Sequence, residues 1–142
     1  MPLGFLILSA QAFADGSGWA AIVFDPATNM WGSAHGGASR NDAEDNAIGY
    51  CGAGCAGADS IALESGQTAL HETWVHNGWI AYAHGQGNTH WGTSGVHDSQ
   101  ANAEQTALDK CGGAAFNCIV VRSLASYDNQ ADISGTNAAI AQ

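Results

Sequence analysis

The architecture follows from one segment, GWAAIVFDPATNMWGSAHGGASRNDAEDNAIGYCG at residues 18–52, which recurs 60 positions later as GWIAYAHGQGNTHWGTSGVHDSQANAEQTALDKCG at residues 78–112. The two copies align without a gap and share rare tryptophans and cysteines at identical separations. The identical pairs include Gly18/Gly78, Trp19/Trp79, Ala21/Ala81, Trp31/Trp91, Gly32/Gly92, Ser39/Ser99, Ala43/Ala103, Glu44/Glu104, Ala47/Ala107, Cys51/Cys111 and Gly52/Gly112. An internal duplication is therefore predicted, in which neither copy can bury its apolar face alone.

Each copy is predicted to open with a β-hairpin. Apolar stretches at residues 18–24 and 78–84 are followed by turn-forming residues, DPATN in the first copy and GQGN in the second. A second strand follows, with Trp31 or Trp91 in it.

A helix is predicted after each hairpin, at residues 40–51 and 100–111. Ser39 and Ser99 precede these segments, where a serine oxygen can accept a hydrogen bond from an otherwise unpaired amide of the first turn. Alanines at helical spacing provide a narrow apolar stripe, and a glycine after each segment predicts the helix end.

A third strand is predicted to close each unit, at residues 60–63 in the first copy and 118–124 in the second. Residues 64–77 have no counterpart in the repeat, and the pattern at 69–75 is compatible with an additional strand.

These elements predict an α+β fold, in which two tandem β-β-α-β repeats form one compact domain with about six strands and two helices. A chain of 142 residues is long enough for one ordinary domain. We expect that domain at residues 15–124, with the repeats at 18–63 and 78–124. The remaining residues, 125–142, are predicted to form a loose polar tail.

The first residues, MPLGFLILSAQAFA at 1–14, have the pattern of a signal peptide: an apolar run followed by Ala12-Phe13-Ala14, with cleavage before Asp15. The run is much shorter than the roughly 20 apolar residues that span a bilayer. A secreted or periplasmic protein without stable membrane insertion is expected.

The net charge is -10, because thirteen acidic residues oppose three basic ones. This balance repels nucleic acid, so no nucleic-acid partner is expected. Acidity of this kind confers solubility outside the cell and also suits a basic partner.

Four cysteines in an exported chain predict two disulfides. The spacing favours local bridges between Cys51 and Cys55 and between Cys111 and Cys118, each joining a helix end to the segment that follows. The alternatives are a reactive thiol and a zinc site. Export disfavours a free thiolate, and the C-x2-C pairs typical of tetrathiolate zinc sites do not occur here.

The polar residues contain no recognisable catalytic set. Histidines are common metal ligands, and His84 and His90 could face one another across a hairpin, with His35 or His97 at the same end. None of them recurs between the copies, so these are weak candidates, and neither a metal nor another cofactor is predicted. Glu44 recurs as Glu104, which favours a structural role for both, with each side chain reaching back to backbone amides near the helix start, where negative charge is favoured.

The tryptophans divide into two groups. Trp19, Trp31, Trp79 and Trp91 recur in register, which favours core packing. Trp74 lies outside the repeat beside Glu72 and His76, and these three residues form the predicted binding surface, since tryptophan is enriched at binding hot spots.

The combined pattern Gly-Trp-x-Ala, Trp-Gly, Ser-x-x-x-Ala-Glu-x-x-Ala and Cys-Gly, followed by a second cysteine near a strand, resembles the domain of unknown function family 4189. The resemblance covers residues 18–63 and 78–124. It implies a small exported bacterial protein with paired cysteines and an unassigned activity, and it supplies no catalytic residues.

The sequence thus favours a non-enzymatic exported module that binds or inhibits a protein or cell-wall partner. The competing hypothesis is a histidine-based or metal-dependent hydrolase, with Glu72 or Asp98 assisting.

Overall fold

The computed structural model describes residues 18–55, 57–87 and 89–126. The elements are β1 (Trp19–Asp25), β2 (Met30–Gly37), α1 (Arg40–Cys51), α2 (Ser60–Ser65), β3 (His71–Val75), β4 (Gly78–His84), β5 (Trp91–Thr93), α3 (Gln100–Cys111) and β6 (Ile119–Ser126), with 3-10 turns at Gly52–Cys55 and Gly113–Phe116. The predicted signal peptide and the tail beyond residue 126 lie outside the described residues.

The strands form two antiparallel three-stranded sheets, with orders β2-β1-β3 and β5-β4-β6. Each half thus consists of a central strand, its hairpin partner and a later strand on the other side. The predicted α+β fold with about six strands and two main helices is confirmed.

The predicted third strand at residues 60–63 is wrong, because that segment lies in helix α2. The Asp59 side chain accepts from the Ala62 amide at 2.8 Å, and Gly66 ends the helix in a left-handed conformation at φ 76°. These local capping interactions outweigh the apolar pattern that suggested a strand. The third strand of the first sheet is instead β3, within the segment 69–75.

The two sheets pack face to face, and a helix covers the outer face of each, giving four layers in the order helix, sheet, sheet, helix. Ile22 and Phe24 of β1 meet Ile80 and Tyr82 of β4 between the sheets. The alternate residues of each strand point outward to the helices, in clusters that contain Ala43 and Ala47 or Ala103 and Ala107. Both faces of the central strands are therefore buried, which explains their unbroken apolar sequences.

The repeated Trp-Gly pair marks the close approach of helix to sheet. A Cβ on Gly32 would collide with the carbonyl oxygen of Ala47 and the amide nitrogen of Cys51. A Cβ on Gly92 would meet the equivalent backbone atoms of α3. Glycine is thus required where each helix crosses the second strand of its hairpin.

The two main helices occupy the predicted ranges and begin at the predicted caps. The Ser39 hydroxyl accepts from the Asp42 amide at 3.2 Å, and the Ser99 hydroxyl accepts from the Asn102 amide at 3.1 Å. Gly112 ends α3 with φ 115°.

Two disulfides join Cys51 to Cys55 and Cys111 to Cys118, with Cα atoms 5.6 and 6.2 Å apart. Each bridge links the last residue of a main helix to the segment that follows it. In the part of the chain that the structure describes, no helix is long and apolar enough to cross a membrane.

Candidate binding surface

An exposed tryptophan and a cluster of charged side chains lie together where β3 passes helix α1. Glu72 and Trp74 are two residues apart on β3, opposite Val23 and Ala21 of β1, so both lie on the face that α1 covers. Because β3 is an edge strand, Trp74 keeps 36% of its surface exposed. We define the Trp74 surface as Trp19, Arg40, Glu64, Glu72, Trp74 and His76.

Arg40 connects the parts of this surface. Its Nε donates to Glu44 Oε2 at 2.9 Å, and its Nη2 donates to Glu72 Oε2 at 2.9 Å. A Glu64 carboxylate oxygen of α2 lies 3.7 Å from the same Nε. The guanidinium also sits 4.5 Å from the centroid of the Trp74 ring, a cation–π geometry that restrains the indole. The Arg40 side chain therefore connects α1, α2 and β3.

Trp19 is half-buried and contacts the rings of both Trp74 and His76. It lies 5.6 Å from Trp74 between ring centroids, and His76 stacks on it at 4.3 Å with an interplanar angle of 6°. The three predicted residues Glu72, Trp74 and His76 are thus brought together through Arg40 and Trp19.

Glu44 lies beneath Arg40 and is fully buried. Burial raises the pKa of Glu44 to about 9; the neighbouring carboxyl groups of Glu72 and Glu64 add to the rise, and Arg40 opposes it. Glu44 is therefore protonated at neutral pH and can act as a donor within a group of carboxyl oxygens. Among the described residues, Oε1 of Glu44 and Oε1 of Glu72 are buried without a hydrogen-bond partner. Arg40 and the core enclose Glu44, so this carboxyl group is not part of the exposed surface and contacts it only through Arg40.

The interpretation of Glu44 and Glu104 as partners of helix-start amides is corrected by these contacts. Both side chains instead bond the side chain four residues earlier, Arg40 in the first copy and Gln100 in the second. Spacing of i and i+4 places such pairs on one helix face, where two side chains reach one another more easily than the backbone.

The described residues of the second half hold no copy of this surface. Gln100 stands in the place of Arg40, and its amide donates to Glu104 at 3.0 Å. Ser123 occupies the place of Trp74 in the sheet register, and its hydroxyl donates to Glu104. The architecture is duplicated, whereas the charged and aromatic surface belongs to the first half alone.

The weak metal candidates are held in separate contacts. His84 is buried, with Nε2 3.2 Å from the Pro26 carbonyl oxygen, and His90 stacks on Phe116 at 3.8 Å. Across residues 18–55, 57–87 and 89–126, no group of three or more His, Cys, Asp or Glu is arranged to hold a metal ion.

The burial of the four repeated tryptophans differs from the prediction that all of them pack in the core. Trp79 is buried, whereas Trp19, Trp31 and Trp91 are half-buried and pack against the margins of the clusters.

Sequence reasoning missed Arg40 and Glu64. Arg40 is one of only three basic residues and replaces a glutamine of the second copy, and this break in the repeat was the available signal. The sequence holds no such signal for Glu64. Its proximity to Arg40 depends on helix α2, in a segment where the sequence predicts a strand.

Comparisons with known proteins place the chain in a family without an assigned activity. No match was found among curated proteins, and none among solved structures. The family model described as a domain of unknown function (DUF4189) matches residues 19–125, and the chain therefore belongs to the DUF4189 family.

Proposed function

We propose that this protein is an exported, non-enzymatic binding module that captures a basic protein partner through the Trp74 surface. The observation that carries the proposal is a partly exposed Trp74 held against Arg40, in a place where the duplicated half has only Ser123 and Gln100. The shared fold does not require an indole or a guanidinium at these positions, since the second half forms without them.

The chemistry of the surface suits a protein interface. Tryptophan and arginine are the residues most enriched at binding hot spots, and restrained side chains lose less entropy on binding. Arg40 is already fixed by two hydrogen bonds of 2.9 Å, so a partner meets an ordered surface.

The charge of the surface and of the whole chain favours a basic partner. Glu64 lies beside Arg40 with 31% of its side chain exposed, and the net charge of -10 attracts a positively charged protein from a distance. Export is supported by the signal-like residues 1–14 and by the two disulfides.

The test compares wild type with Trp74→Ala. The mature protein, from residue 15, is immobilised and exposed to periplasmic and culture-fluid extracts, and retained proteins are quantified and then titrated individually. Loss of a central tryptophan anchor costs about 2 kcal/mol, so the variant should bind about thirty-fold more weakly. Binding should also weaken with salt, because charge attraction is screened.

Ile119→Ala is the matched control, since Ile119 is a large apolar side chain of the second sheet with 66% of its surface exposed. It should bind as wild type does. Equal retention by Trp74→Ala and wild type would refute the proposal. Sedimentation with insoluble peptidoglycan that depends on Trp74 would assign the surface to a cell-wall glycan instead.

The hydrolase hypothesis is tested alongside. A broad hydrolase screen, with and without added divalent metals, is expected to show no turnover. Turnover abolished by a single substitution at His84 or His90 would replace the binding proposal with an enzymatic one.

A further inference from the structure

A groove lies along the edge of the molecule where β3 of the first sheet meets β5 of the second. Both are edge strands of their sheets. The Thr73 hydroxyl of β3 donates to the carbonyl oxygen of Ser94, the residue after β5, at 2.6 Å, and both residues are buried. This bond closes the bottom of the groove. The cavity has a volume of about 380 Å³, within the usual range for small-molecule sites, and we name it the β3–β5 groove.

The two halves of the molecule each supply an exposed apolar side chain to the β3–β5 groove. Trp74 comes from β3 and is 36% exposed, and Val96 comes from the segment after β5 and is 54% exposed. Apolar surface left open beside a cavity is typical of a binding site. The groove therefore offers a place for one apolar group.

The accessible charge in the groove is positive. Lys110 of α3 lines the groove and is exposed, and its ammonium forms no ion pair or hydrogen bond with a described residue. Glu72 also lines the groove, but its Oε2 accepts from Arg40 at 2.9 Å and only 12% of its side chain is exposed. A ligand thus meets the charge of Lys110 before that of Glu72.

We propose that the β3–β5 groove binds the C-terminus of a protein chain whose last residue is apolar. The terminal carboxylate pairs with Lys110, since charge-assisted hydrogen bonds are the strong ones, and the last side chain packs against Trp74 and Val96. Thr93 lines the same groove and is partly exposed, so its hydroxyl is placed to bond the last peptide group. This inference rests on the proposed function, because it names the part of the partner that Trp74 receives.

A chain terminus fits the groove better than an inorganic anion does. Phosphate would leave the indole and Val96 without an apolar partner, and the net charge of -10 repels it more strongly than a single carboxylate. The edge strands β3 and β5 also present backbone groups on their outer sides, which an extended chain can bond.

The test is a titration of the isotope-labelled mature protein, followed by NMR chemical shifts, with three probes. N-acetylphenylalanine carries both the carboxylate and an apolar side chain, N-acetylphenylalaninamide lacks the charge, and N-acetylglycine lacks the side chain. The first should give saturable shifts at Thr93, Val96 and Lys110. Each of the others should bind at least about tenfold more weakly, because one loses a charged hydrogen bond and the other loses the burial of a ring.

Substitutions assign the two parts of the probe to their side chains. Lys110→Gln should weaken binding of N-acetylphenylalanine about tenfold and should abolish its advantage over the amide. Trp74→Ala should weaken both of these probes and keep the advantage of the acid. Tyr50→Ala is the matched control, because Tyr50 holds the position of Lys110 in the first copy and is 75% exposed, and it should leave every affinity unchanged.

Chemical modification keeps the test decisive if Lys110→Gln does not fold. Lys110 is the only lysine of the chain, so acetylation and reductive dimethylation each modify one side chain. Acetylation removes the charge and should abolish the advantage of the acid over the amide, whereas dimethylation keeps the charge and should preserve it. Tyr50→Ala protein treated in the same two ways should respond as wild type does.

The proposal is overturned if N-acetylphenylalanine gives no saturable shifts, if either other probe binds as tightly, or if acetylated and dimethylated protein bind alike. Failure of these titrations while capture of a partner still depends on Trp74 rejects the C-terminal site and leaves the partner proposal standing. Binding of N-acetylphenylalanine with no captured protein refutes the partner and assigns the groove to a free small carboxylate.

Discussion

Replacing Gly32 with alanine should push helix α1 away from the first sheet. The added Cβ would overlap the backbone of Ala47 and Cys51 and would lie 2.7 Å from the carbonyl carbon of Tyr50. All three are backbone atoms of α1, so no change of rotamer relieves the overlap. Overpacking of this kind costs about 1–3 kcal/mol, and a clash confined to backbone belongs at the upper end. For a domain of this size, about 3 kcal/mol corresponds to a fall in Tm of roughly 10 °C.

Gly49→Ala is the matched control on the same helix. Gly49 is exposed, and a Cβ there meets nothing within 4 Å. The substitution should stabilise the protein by about 0.5–1 kcal/mol, because alanine loses less conformational entropy in a helix than glycine does.

Thermal and urea denaturation, followed by circular dichroism, measure both effects. Gly92→Ala, the equivalent change in the second half, should cost about as much as Gly32→Ala, because the same atoms of α3 stand opposite it. The account of helix packing is wrong if Gly32→Ala unfolds at or above the wild-type temperature, or if Gly49→Ala destabilises as much as Gly32→Ala does.

Two further predictions concern the buried Glu44 side chain and the two disulfides. Because the pKa of Glu44 is raised from 4.5 to about 9, its stabilising contribution is complete below pH 4.5 and is lost as the pH rises towards 9. Glu44→Gln, which stays neutral, should therefore flatten the decline in unfolding free energy over this range, and an unaltered pH profile would argue against a protonated Glu44. Replacing Cys111 and Cys118 together by alanine should lower the unfolding free energy by about 2.5 kcal/mol, and replacing Cys51 and Cys55 by about 2 kcal/mol, because the closed loops are short. Guanidinium denaturation checks both values, and unchanged midpoints would show that the bridges add nothing to stability.

The duplication separates architecture from candidate function. Positions shared by both halves, such as Gly32 and Gly92, lie where a helix meets its sheet. Positions that differ, such as Trp74 and Arg122, are partly exposed. Partly exposed positions are free to change because part of each side chain faces solvent, whereas packed positions are constrained by their neighbours on all sides.

Elements whose stabilising interactions are local in sequence could be predicted, and those that depend on distant contacts could not. Both main helices were placed correctly, because a serine cap, an alanine stripe and a final glycine act within a few residues of one another. The third strand of the first half was misplaced for a related reason. Asp59 and Gly66 cap a short helix at residues 60–65. Strand β3 occupies the same place in its sheet as β6 does in the other, but the two strands have unlike sequences.

The amino-acid sequence alone determined the duplication, the α+β class, the two long helices and the isolation of Trp74 from the repeat. The tertiary structure alone decided which side chains meet Trp74 and which side chains join the edges of the two sheets. Arg40 and Glu72 are 32 positions apart, and Ser33 and Arg122 are 89 apart. Contacts over such separations depend on how sheets and helices pack, which local periodicity does not encode.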